Sequence, residues 1–238
     1  MTATAAPADS TLGFVRASAL VAKKDLRVEL RSKVALAQVL PFGAIVVVLF
    51  AFALDPDRGV LPRVAPGLFW ITVLLAALLA VGRSISVELR NRSFDALRLS
   101  GIDGAAVFTG KCVALVLELL ALEVLLGVTV VVLYDIKVAP SAAGILVLAA
   151  LAATVGIAAV GTAYGALAAG ARTRETLLPL LVLPLVAPVM LGGTRSFESA
   201  LGDSPADAWP WVALLTVFAA LFASIGVLSY GTLMEETS

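Results

Sequence analysis

The chain has 238 residues, 61% of them hydrophobic and only 14% charged, with 17 basic residues balancing 17 acidic ones. Ordinary soluble domains carry about 25% charged residues, so this chain has too few to coat a soluble globule, and a mean hydropathy of +1.04 points to lipid as the main solvent. The absence of histidine excludes Ser-His nucleophilic triads, H-E-x-x-H zinc chemistry and histidine ligation of haem iron by this chain. The single cysteine, Cys112, cannot close an intrachain disulfide.

Residues 1–16 read as a small, polar, unstructured lead-in, lacking the basic start and apolar core of a cleavable signal. Over residues 17–33, Ala22, Leu26 and Leu30, with Val34 just beyond, recur every four positions while Lys23, Lys24, Arg27 and Arg31 take other faces. This spacing predicts a basic amphipathic helix on the membrane surface. Asp25 to Arg31 also alternates with period 2, as a strand would, but no partner strands are evident, which favours the helix.

Residues 34–231 form the membrane region. Apolar stretches at Val34 to Leu54, Pro66 to Gly82, Val113 to Tyr134, Ala142 to Ala169, Thr176 to Gly193 and Trp209 to Gly231 predict six spanning helices, each near the ~20 residues that cross a ~30 Å hydrocarbon core. Their continuity, without alternation, argues against a β-barrel. The fold class expected is therefore all-α, a polytopic integral membrane protein.

Six spans put both termini on one side. Basic residues favour that side by thirteen to four, the four being Arg58, Arg63, Lys137 and Arg195. The positive-inside rule makes it the cytoplasmic side, with residues 232–238 as a cytoplasmic tail. The loop 83–111 between spans two and three is the longest there. Ser93 can cap a short helix carrying Phe94, Leu97 and Arg98, Ser100-Gly101 can end it, and Asp103-Gly104 can turn the chain.

Within the spans, Glu118 and Glu123 are costly in lipid and are either functional or interhelical contacts. Five residues separate them, roughly 140° around a helix, so they do not share a face. Gly161 and Gly165 form a G-x-x-x-G stripe suited to close helix packing, within or between subunits. Pro179, Pro184 and Pro188 bend the fifth span, and Trp70, Trp209 and Trp211 fall where interfacial aromatic anchors are expected. No GxxxxGK[ST] loop occurs, so any ATP that drives the protein binds a partner.

An N-terminal amphipathic helix, six spans and a charged loop helix after span two resemble the membrane subunits of ABC exporters of the second export class. The Glu88 to Leu97 stretch resembles their first cytoplasmic loop, with Ser93 in the place of a glycine and Asp95 in that of a second glutamate, and Lys111 resembles the lysine that opens span three. Within that class, Lys24 to Ser32, Ala65-Pro66-Gly67-Leu68-Phe69-Trp70 and Ala171 to Glu175 with Leu177-Leu178-Pro179 resemble the CcmB family, the haem-exporter permeases of cytochrome c maturation.

The resemblance implies a non-enzymatic permease that pairs with a second copy of itself and with a CcmA-like ATPase, beside CcmC-like and CcmD-like membrane proteins and a CcmE-like haem chaperone. Nucleic acid is not among the implied partners. Glu88, Arg90, Arg92, Phe94, Asp95, Leu97 and Arg98 would form the helix that couples to the ATPase. Haem would be the substrate of the complex, with no covalently bound cofactor and no metal held by this chain. Two alternatives remain open from the residues alone: an ion-coupled secondary transporter using Glu118 and Glu123, and a non-transporting membrane scaffold.

Overall fold

The computed structural model describes residues 13–32, 40–54, 60–91, 102–169, 174–202 and 205–236. Seven α-helices account for nearly all of them: α1 (Phe14–Ser32), α2 (Leu40–Ala53), α3 (Val60–Asn91), α4 (Gly104–Leu133), α5 (Pro140–Ala169), α6 (Arg174–Leu201) and α7 (Trp209–Glu236), with a short 3-10 turn at Pro205–Ala208. Among the described residues there is no strand, and Asp25 to Arg31 are helical.

Among the described residues five helices, α3 to α7, are long and apolar enough to cross a membrane. The sixth expected span appears as the 14-residue α2, about 21 Å at 1.5 Å per residue, and residues 33–39 before it lie outside the described set. Large apolar side chains such as Phe52, Val132 and Leu228 point outward, as a lipid solvent favours. The protein is an all-α polytopic membrane protein.

α5 is the axis of the bundle and touches α3, α4, α6 and α7. Its composition allows this: Ala149, Ala153, Ala158, Ala159 and Val160 are fully buried, and small side chains let neighbouring backbones approach where lipid offers no hydrophobic drive to associate. Gly161 and Gly165 face α3. A Cβ at Gly161 would stand 2.8 Å from Val81 Cγ2, and one at Gly165 would stand 3.0 Å from Ile85 Cδ1. The glycine stripe thus serves packing between helices of one chain.

Several helices start or end differently from the apolar stretches. α4 begins at Gly104, where the Asp103 carboxylate accepts the Ala105 N–H at 3.1 Å as an N-cap, so Lys111 lies two turns inside the helix. α1 is already helical at Phe14, inside the expected lead-in. α6 runs unbroken through Pro179, Pro184 and Pro188 to Leu201, past the expected end at Gly193.

Trp70 departs from the anchor expected of it. It is fully buried, packed edge-on against Phe69 and Phe197 at centroid distances of 5.4 and 5.2 Å, with Gly193 opening space for its indole. The pairing of three aromatic rings outweighs interfacial anchoring there, although the indole N–H finds no partner among the described residues. Trp209, half exposed at the start of α7, is placed as an anchor would be.

Candidate functional site

The polar groups of the bundle concentrate where α1 meets α3 and α4. α1 packs along the first turns of α4, burying Ala17, Ser18, Val21 and Ala22. Gly110 makes the approach possible, since a Cβ there would stand 2.5 Å from the Ser18 carbonyl oxygen and 2.7 Å from Val21 Cβ. Ser18 satisfies its own hydroxyl by donating to the Phe14 carbonyl at 2.9 Å.

The same face of α1 carries Asp25 and Glu29. Asp25 accepts from the buried Lys111 ammonium of α4 at 3.4 Å and also pairs with Lys24 at 2.9 Å. Glu29 pairs with Arg83 of α3, and Arg83 lies 3.8 Å from Glu118 of α4. Two cations from the bundle therefore hold two carboxylates of α1 and one of α4. These side chains line a cavity of about 240 Å³ that Gly161, Thr162 and Tyr230 close from α5 and α7.

α1 packs on the bundle along one face and leaves its other faces open. Leu30, part of the apolar stripe in the sequence, is 74% exposed, and the face against the bundle is the one with small and acidic residues. The physical reason is charge pairing: a carboxylate near lipid is expensive unless a cation meets it, and Lys111 and Arg83 are fixed in the bundle.

Glu118 and Glu123 are placed in different surroundings. Glu118 belongs to the cluster just described. Glu123 is 5% exposed and faces α5, where the Thr154 hydroxyl donates to its Oε1 while its Oε2 has no partner among the described residues. It lies at the inner edge of an apolar groove of about 320 Å³ between α3, α4, α5 and α6, walled by Phe69 and Phe197. No set of three or more Cys, Asp or Glu able to hold a metal occurs among the described residues.

Of the residues assigned to ATPase coupling, Glu88 and Arg90 lie in the last turns of α3, and nothing is described of their side chains. Arg92, Phe94, Asp95, Leu97 and Arg98 lie outside the described residues. The start of α4 lies at the same end of the bundle as α1 and the last turns of α7, since Phe108 packs against Tyr230 at 5.5 Å and Gly104 lies against the Gly231 backbone.

Sequence reasoning singled out Glu118 and Lys111 but missed that Asp25, Glu29 and Arg83 complete the cluster. The available signal was charge balance: a helix read as basic carried two acidic residues four apart, on one face, in a chain whose bundle segments hold isolated cations.

Comparison with known proteins gives a consistent answer. Residues 16–233 match the family model described as CcmB protein. Heme exporter protein B of Rhodobacter capsulatus is 31% identical over 206 residues, covering 84% of this chain and 93% of the relative. The proteins of that name from Pseudomonas aeruginosa and Escherichia coli K12 are each 29% identical, covering 84% and 86% of this chain and 89% and 90% of their own lengths. An all-helical membrane bundle, a family match from α1 to the last turns of α7 and relatives matched over nearly their full lengths lead to one conclusion: the chain belongs to the CcmB family.

Proposed function

We propose that this chain is the membrane permease subunit of an ATP-driven haem exporter that serves cytochrome c maturation. The observation that carries this reading is the family match across residues 16–233, with relatives named for haem export. ATP hydrolysis belongs to a CcmA-like partner, in keeping with the missing phosphate loop. A second copy of the chain, CcmC-like and CcmD-like membrane proteins and a CcmE-like chaperone complete the assembly. The bilayer is the cytoplasmic membrane, with both termini on the cytoplasmic face, which the basic bias and the shared bundle end of α1 and α7 support.

The 83–111 segment is the coupling element, with Glu88, Arg90, Arg92, Phe94, Asp95, Leu97 and Arg98 meeting the ATPase. The ion-paired cluster supports a mechanism. Arg83 lies two turns before the end of α3 and Lys111 two turns into α4, and both hold α1. A push on the segment between them reaches α1, α3 and α4 together, so the three move as one rigid body. With no histidine here, axial histidine ligation of haem falls to partners.

Co-expression with the partner ATPase tests this directly. The chain should co-purify with the ATPase and raise its turnover in liposomes, and the combined Glu88→Lys, Asp95→Lys and Phe94→Ala variant should lose that stimulation. It should also fail to restore holo-cytochrome c in a strain lacking the endogenous permease. Full stimulation by the triple variant would refute the coupling assignment, and normal cytochrome c maturation without the chain would refute the haem reading.

A further inference from the structure

The cluster at the α1 junction has an effect on the opposite side of the same helix. With Asp25 and Glu29 turned toward Lys111 and Arg83, the acidic residues of α1 are withdrawn into the bundle. What remains outward is Arg16, Lys23, Arg27 and Arg31, all exposed, with Leu20 among them. At about 100° per residue the four cations occupy one sector roughly 80° wide.

The neighbouring sector holds Val15, Ala19 and Leu30, with Val15 78% and Leu30 74% exposed. α1 therefore has three sides: acidic and small toward the bundle, apolar beside it, and cationic without a carboxylate beyond that. Apolar side chains set next to long basic ones suit a bilayer boundary, where the aliphatic stems lie along the acyl region and the charged ends reach the headgroups.

From this we infer that the outward face of α1 is a binding surface for anionic phospholipid headgroups. The argument is charge complementarity. Four like charges on one short helix repel one another and are stabilised by anions, and the membrane surface beside an interfacial helix supplies these as lipid phosphates with net negative headgroups. At about 100° per residue Asp25 and Glu29 lie roughly 120° or more around α1 from the nearest of the four cations, so turning the carboxylates to the bundle turns the cations out. The ion pairs with Lys111 and Arg83 thus fix which sector of α1 faces outward. The inference rests on the membrane placement of the chain and is independent of the haem reading.

The full chain, reconstituted in phosphatidylcholine bilayers, can be probed with trace spin-labelled phosphatidylglycerol or spin-labelled phosphatidylcholine, reading the fraction of each immobilised at the protein. The expected result is a several-fold preference for the anionic probe. It should fall to near parity in R16Q/K23Q/R27Q/R31Q and, for the unaltered chain, in roughly 0.5 M salt, where screening shortens charge interactions to a few ångströms.

The salt arm needs no substitution, so a variant that fails to fold leaves the inference exposed to refutation. Equal immobilisation of both probes by the unaltered chain would overturn it. So would a preference that survives the quadruple substitution in a folded protein, which would place the anionic site elsewhere. A cationic face that ignores lipid but becomes protected when the partner proteins are added would likewise overturn it, in favour of a protein contact.

Discussion

Replacing Asp25 with asparagine removes one charge while keeping the side chain's shape, and its effect can be worked from the structure. Asp25 Oδ2 lies 3.4 Å from Lys111 Nζ, and the two side chains are 19% and 6% exposed. At an effective dielectric of ~20 the gross attraction is about 5 kcal/mol, much of it offset by the cost of desolvating the ammonium. Losing one partner of a well-buried pair costs ~3–5 kcal/mol, and the partial exposure of Asp25 reduces this to about 2–3 kcal/mol.

That loss falls on the docking of α1, so the population with α1 lifted from α4 should rise roughly 30- to 150-fold, at ~1.4 kcal/mol per factor of ten. Val21, 3% exposed under α1, reports on this when changed to cysteine in a Cys112→Ser background. Maleimide labelling at Val21→Cys should accelerate by that factor in Asp25→Asn. Adding Lys111→Met, which removes the stranded cation, should restore most of the protection, because replacing both partners with uncharged groups is close to neutral. Labelling of Asp25→Asn at the unaltered rate, or a double variant no better protected than the single one, would refute the view that this ion pair holds α1 to the bundle.

Further outcomes follow from the packing. Gly161→Ala should lower the melting temperature in detergent through an overpacking cost of ~1–3 kcal/mol against Val81. Gly144→Ala, with nothing within 4 Å of the new methyl, should leave stability in the same melting assay unchanged or raise it by up to ~1 kcal/mol. Thr154→Val strips Glu123 of its hydrogen-bond donor and should destabilise by ~1–3 kcal/mol, with Thr154→Val/Glu123→Leu recovering stability in a double-mutant cycle. Tyr134→Phe removes the bond that the buried Tyr134 hydroxyl donates to the Val47 carbonyl at 2.8 Å, a link between the end of α4 and α2. It should cost about 1 kcal/mol and loosen α2 first, which site-resolved hydrogen exchange would detect.

Much of this protein is legible without coordinates. The apolar stretches locate the helices because backbone amides in lipid must be satisfied within their own segment, whereas Asp103-Gly104, read from the sequence as a turn ahead of a span opening at Val113, proves to be the N-cap and first residue of α4. Family membership, too, is carried by local motifs along the chain. The five residues Arg92, Phe94, Asp95, Leu97 and Arg98 stand on that footing alone, since they lie outside the described residues.

Tertiary structure decided everything that depends on which faces meet. The sequence shows α1 as basic with a leucine stripe, but which side turns inward depends on Arg83 and Lys111, the second of them 86 residues from the Asp25 it holds, and no local pattern encodes such a pairing. The partner of the Gly161 and Gly165 stripe is α3, and Trp70 lies in an aromatic core with Gly193 beneath it. In a chain this apolar every helix offers several acceptable faces to lipid, so hydrophobicity chooses the helices while paired charges and missing side chains choose their neighbours.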